Sequence, residues 1–193
     1  MSSKTHTTYV ALLRGINVGG NTPLSMKELK KSFELLGFQN VSTFINSGNV
    51  VFQTSVKDPR VLETLIASNI TKTFGYELVV VVRSFEEMKK VLRHVPTLWK
   101  QSNTQDYRCD IMFLHHSIDD KKILDELQPR NEVDHISYYQ GAVYWSARKD
   151  EFTRSSMNKI VAKKICKFMT IRVYNSARRL FKLMEATEEI ESK

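Results

Sequence analysis

The chain has 193 residues, 41% of them hydrophobic and ten of them Phe, enough for one full core or two small abutting ones. Its net charge of +8 favours polyanionic partners: nucleic acid, phosphorylated ligands or an acidic protein. No apolar run approaches the roughly 18 residues that span a bilayer, and Met1 to Thr8 is polar with no signal-peptide core, so a cytosolic protein without a membrane segment is expected.

The elements follow in a regular series. Residues 8–14 read as a buried strand. The loop after it, Arg14-Gly15-Ile16-Asn17-Val18-Gly19-Gly20-Asn21, combines glycines with an Arg and two Asn. Glycines let the backbone curl and let another molecule approach it. Arg and Asn supply donors for an anion or a polar ligand. The loop is neither a P-loop, since no Gly-Lys-Ser/Thr follows, nor a dinucleotide fingerprint, since its glycines have the wrong spacing.

A helix is predicted over 25–36, opened by a Ser25/Glu28 capping box and ended by Gly37. Strands follow at 41–46 and 49–54, joined by a tight Ser47-Gly48 turn. Asp58-Pro59 opens a helix to about Phe74, and Glu77 to Arg83 is a β-branched strand. A second capping box, Ser84/Glu87, opens a short helix to His94. Residues 95–106 read as a polar connector in which Pro96, Leu98 and Trp99 pack.

The second half repeats the order. It has a strand at 107–114, a helix at 119–128, a strand pair at 133–139 and 142–147, a helix at 152–168 and a short strand at 170–174. Asn175 is read as the cap of a final helix through Leu180 and Met184. Gly48-Asn49-Val50-Val51-Phe52 and Gly141-Ala142-Val143-Tyr144-Trp145 echo one another at the opening of the third strand of each half. β-α-β-β-α-β is the ferredoxin-like plan. The expected fold class is therefore α+β: two ferredoxin-like subdomains, each with an appended helix, packed together. The expected division is 1–94, a connector at 95–106, and 107–193 with basic C-terminal helices.

Three polar patches are candidate ligand sites: Arg14, Gly15, Asn17, Gly19 and Gly20 on the first loop; Asn46, Ser47 and Asn49 at the hairpin; and Thr170, Arg172 and Asn175 at the last strand and helix. Across residues 1–57 the only acids are Glu28 and Glu34, both on the first helix. Asn and Arg do not titrate near neutrality, but they do donate to phosphate, carboxylate and base edges, so the inventory favours binding over catalysis. Asn and Gly also suit turns for conformational reasons alone. Between Arg148 and Lys182 stand eleven basic residues and two acidic ones. On a helix, Lys159, Lys163 and Lys167 would form one basic stripe, which a solvated face opposite Met157, Ile160 and Ile165 also explains. Cys109 and Cys166 form no CxxC and are expected to be buried free thiols. No metal site and no cofactor are expected, because His115-His116 has no third ligand nearby in sequence.

The run Leu12-Leu13-Arg14-Gly15-Ile16-Asn17-Val18-Gly19-Gly20, then Pro23, Met26, Leu29, Leu36-Gly37-Phe38, Val41, Thr43 and Ser47-Gly48-Asn49-Val50-Val51-Phe52, closely resembles the signature of domain-of-unknown-function family 1697. The resemblance spans the chain and is strongest over residues 10–53. It implies a bacterial protein of two ferredoxin-related α+β subdomains, and it leaves activity open. The family's C-terminal Thr-x-Arg-Asn-x-Asn-Thr motif maps onto Thr170, Arg172, Val173, Asn175 and Ser176. Val173 loses an amide there and Ser176 keeps a hydroxyl. The leading expectation is a protein that binds a phosphate-bearing ligand, nucleic acid or nucleotide, through the Gly/Asn/Arg loop. The rivals are an enzyme acting on a small phosphorylated or acyl substrate, with Asp110 or His115 as acid or base, and a protein–protein interaction module.

Overall fold

A computed structural model of the chain describes residues 6–17, 23–101, 105–160 and 162–191. Its first half runs β1 (Thr7–Leu13), α1 (Met26–Leu35), β2 (Gln39–Phe44), β3 (Asn49–Thr54), α2 (Pro59–Phe74), β4 (Val80–Ser84) and α3 (Phe85–Arg93). Its second half runs β5 (Tyr107–Leu114), α4 (Ile123–Leu127), β6 (His135–Tyr139), β7 (Ala142–Arg148), α5 (Met157–Ile160), β8 (Met169–Val173) and α6 (Tyr174–Glu191). The strands pair antiparallel in two four-stranded sheets, β2-β3-β1-β4 and β6-β7-β5-β8. In each, the third strand is inserted between the first two, which is the ferredoxin-like order.

Local chemistry sets the helix ends as the sequence predicts. Ser25 accepts from the Glu28 amide at 3.4 Å. Past α1, Gly37 sits at φ 81°, and the Gly37 and Phe38 amides return to Glu34 and Phe33. The Asp58 carboxylate caps α2 through the Arg60 amide, and Gly75 ends it at φ 74°. The Ser84/Glu87 box is closed in both directions, with Ser84 N–H donating to Glu87 Oε2 at 2.7 Å and Glu87 N–H to Ser84 Oγ at 3.3 Å.

By packing, the chain divides into Met1–Met88 with Arg179–Lys193, and Lys89–Arg178. Both boundaries fall inside helices, α3 and α6. In the first unit one sheet face packs Tyr9, Ala11, Leu13, Phe52 and Val82 against Leu29, Phe33, Leu62 and Ile66 of α1 and α2. The other face, with Val10, Leu12, Val51 and Val81, is just as buried. The later part of α6 belongs to this unit, and Thr187 O accepts from Gln53 Nε2 at 3.4 Å. A sheet covered on both sides reads as continuous apolar strands rather than alternation.

In the second unit, Met112, Leu114, Val143 and Trp145 pack on Ile123, Leu127, Met157 and Ile160. On the opposite face Tyr144 donates to Val91 O at 2.7 Å, and its ring meets Trp99 edge-on. The stretch around Thr97–Lys100 is thus a packed 3₁₀ turn with Trp99 buried.

The helix predicted over 152–168 breaks into a 3₁₀ turn (Phe152–Arg154), α5 and a second 3₁₀ turn (Lys164–Phe168). Ser155 and Ser156 cause the first break, because their hydroxyls bind a side chain instead of continuing the helix. Lys163 is extended, and its ammonium caps the end of α4 through Glu126 O and Leu127 O. Lys159, Lys163 and Lys167 therefore do not share one helical face. Similarly, only Ile123–Leu127 of the predicted 119–128 helix is α-helical.

The group holding that region is Asp134. It is buried and accepts from five donors: the Arg130 and Ser156 amides, the Ser155 and Ser156 hydroxyls, and Trp145 Nε1. Burial alone would raise its pKa, but the hydroxyl and amide donors outweigh burial and lower it. A carboxylate with a lowered folded-state pKa stabilises the fold above its unfolded-state pKa, and that contribution is lost as pH falls through the folded value. Asp134→Ala should cost about 3 kcal/mol in urea unfolding at pH 7, and the gap to the parent should shrink below roughly pH 4. An unchanged midpoint at pH 7 would remove Asp134 from this role.

Candidate functional site

In an antiparallel 4-1-3-2 sheet the end of strand one, the hairpin between strands two and three, and the start of strand four meet at one end. The structure shows this join in the first unit. Leu13 N–H donates to Gly48 O at 2.8 Å, and Arg14 N–H donates to Val79 O at 3.2 Å. The first loop and the hairpin, two separate patches in sequence, are therefore one surface.

Asn17 ties them further. It adopts φ 55°, and its Nδ2 donates to Leu24 O at 2.9 Å and to Asn46 Oδ1 at 3.0 Å. Its Oδ1 accepts from Leu24 N–H at 2.8 Å. Ile16, fully buried beside it, anchors the loop in the core. Asn49 is buried too, and its Nδ2 donates to Phe44 O at 3.1 Å and Ser47 Oγ at 2.9 Å. The hairpin turn covers Ile45–Gly48, two residues longer than the predicted Ser47-Gly48 turn, and Asn46 belongs to it rather than to β2.

Two of the predicted ligand amides, Asn17 and Asn49, thus build the loop. Arg14 and Ser47, half-buried, and Gly15 and Asn46, exposed, form its outer surface. Gly19 and Gly20 lie outside the described residues. Arg179, far away in sequence, stands with its guanidinium 5.3 Å from the centre of the Phe44 ring at the hairpin's foot. Only its membership of the basic C-terminal run marks it in the sequence.

The model of the family described as "Protein of unknown function (DUF1697)" matches residues 6–144, so the signature and the fold it implies are both present. The chain belongs to the DUF1697 family. The conserved bacterial protein SP0830 from Streptococcus pneumoniae has the same fold, with a TM-score of 0.82 at 21% identity over 93% of this chain and 99% of that one. No curated protein matches the chain.

The DUF1697 chain repeats the join in its second unit. Leu114 N–H donates to Gly141 O at 2.9 Å and His115 N–H to Phe168 O at 2.8 Å, matching Leu13–Gly48 and Arg14–Val79. The Gly48 and Gly141 echo in the sequence is therefore a structural equivalence, with both glycines at positive φ. The third patch belongs to this unit. Thr170 is buried, and its hydroxyl accepts from Arg172 Nη1 at 2.7 Å, which also donates to Ile171 O at 2.9 Å. Desolvation lowers the Arg172 guanidinium to about 10. Asn175 is exposed within α6, which begins at Tyr174, so it does not cap the helix.

Each acid–base candidate makes a side-chain hydrogen bond. Asp110 is buried, with its pKa raised by burial despite Arg108 Nε at 2.7 Å. The His115 ring is bonded to Ser117 Oγ at 2.8 Å.

Gly48 is the tightest point of the join. A Cβ there would lie 2.9 Å from Leu13 Cβ at a φ of +67°, whereas a Cβ on Gly15 would meet open space at φ +72°. Gly48→Ala is expected to cost about 3 kcal/mol, from overlap and strain together, and Gly15→Ala about 1 kcal/mol, from strain alone. Denaturant melts of the two variants check the order, and equal losses would contradict the packing described.

Proposed function

We propose that the chain is a cytosolic protein that binds a phosphate-bearing ligand, with nucleic acid or a nucleotide as the class, on the surface made by the Arg14 loop and the 45–48 hairpin. The observation that carries this reading is the convergence itself: the β1 end, the hairpin and the lead-in to β4 are hydrogen-bonded into one rim. Arg14 is the ionisable group of the rim segments 14–17 and 45–49, and the exposed Asn46 and Gly15 stand on the same rim. A guanidinium beside amide and backbone donors suits a phosphate. The segments 14–17 and 45–49 hold no carboxylate, which favours binding over catalysis. A net charge of +8 adds long-range attraction for polyanions. Among the described residues no helix is long and apolar enough to cross a membrane, and the two cysteines are buried free thiols, in keeping with a reducing compartment.

Fluorescence anisotropy with labelled single- and double-stranded oligonucleotides, and thermal shifts with nucleotides, each at two salt concentrations, test this. Oligonucleotide affinity is expected to fall steeply with salt through counterion release. Arg14→Ala should weaken binding about tenfold or more, and Arg14→Lys should weaken it less. Full affinity in a folded Arg14→Ala protein would move the ligand away from this rim, and no binding to any member of the panel would reject the reading.

A further inference from the structure

The second unit holds a cavity of about 670 Å³ that the rim does not use. It opens where β5 begins and where β7 and β8 end, at the opposite end of that sheet from Gly141. Its walls include two cations, Arg108 and Lys149, the rings of Tyr107, Phe152 and Tyr174, and the Asn175 amide, and no carboxylate is among the described residues that line it.

The cations are arranged for an anion. Arg108 Nε donates to the buried Asp110 carboxylate at 2.7 Å, and the guanidinium carbon lies 4.4 Å from the centre of the Phe152 ring. Those two contacts hold the guanidinium plane. Its terminal nitrogens have no partner among the described residues, and the side chain is 46% exposed. Lys149 is placed by its own amide, which donates to Asp106 O at 2.8 Å, and its ammonium makes no ion pair among the described residues. The neighbouring pair Arg148–Asp150 is closed on itself at 3.1 Å and takes no charge from Lys149. Burial pushes the Cys109 thiol up to about 11, so it meets a ligand as a neutral wall.

We propose that this cavity binds a nucleoside monophosphate, with the phosphate between Arg108 and Lys149 and the base against the aromatic wall. Two cations lining one cavity match a phosphate dianion. An aromatic wall accepts any base, because stacking uses a face that every base has. The volume falls within the usual range for small-molecule sites. Inorganic phosphate would leave the rings unused, and a nucleoside would leave the cations unused. The site is independent of the Arg14 rim, so either can fail without the other.

Isothermal titration of the full chain with the monophosphates of adenosine, guanosine, cytidine and uridine, against adenosine and inorganic phosphate alone, tests the proposal. At least one monophosphate should bind more tightly than either half. Lys149→Glu, a change at an exposed position, should weaken it about tenfold or more, and Lys149→Arg, which keeps the charge, should weaken it less. Amide shifts in the spectrum of the bound protein should cluster at 107–109, 149–152 and 173–175. The proposal is overturned if no monophosphate binds at millimolar concentration, if Lys149→Glu binds as the parent does, or if inorganic phosphate alone binds as tightly. Oligonucleotide binding retained in Lys149→Glu and lost in Arg14→Ala separates this site from the rim.

Discussion

Two backbone hydrogen bonds at the end of each first strand organise the rest of both units. In one, Leu13 and Arg14 bond to Gly48 and Val79; in the other, Leu114 and His115 bond to Gly141 and Phe168. An antiparallel sheet with the third strand beside the first brings these segments to one end, and unpaired backbone groups there would be costly if buried. Glycine is needed at the hairpin for two reasons at once. The chain turns through positive φ, and at Gly48 the neighbouring Leu13 leaves no room for a side chain. The described candidates of the first loop, Arg14, Gly15 and Asn17, inherit their positions from this join.

The polar side chains divide sharply by task. Asn17, Asn49 and Thr170 look like ligand donors in sequence, yet each is turned inward to satisfy backbone or a neighbour. Asp134 does the same on a larger scale for the turn between β7 and α5. Buried polar groups must find partners, so a short, flexible-looking stretch rich in Asn and Ser becomes rigid when the core closes beneath it. Residues outside these networks, such as Lys149 and Asn175, are exposed.

Elements with strong local signals were legible at once. The Ser84/Glu87 box, the Asp58-Pro59 start, the Gly37 stop and the apolar strands all form as their residues predict, because each depends on neighbours within a turn or on a short continuous apolar run. The 152–168 stretch was not legible. Its apolar spacing suits a helix, but Asp134, across a turn and two strands, captures Ser155 and Ser156 and breaks it. Partners on other segments likewise tie Asn17 to Asn46 and place Arg179 beside Phe44.

The amino-acid sequence by itself determined the order of elements, the duplication, the basic character and the family signature. These are properties of local periodicity, composition and short-range capping, and they need no knowledge of what lies across the fold. Tertiary structure alone decided which polar groups face outward, that the first loop and the hairpin share a rim, that the later part of α6 belongs to the first unit, and that Arg108 is held by Asp110 and Phe152 beside Lys149. Those outcomes depend on strand order and on which buried donor meets which acceptor, and both are settled only when the sheets close.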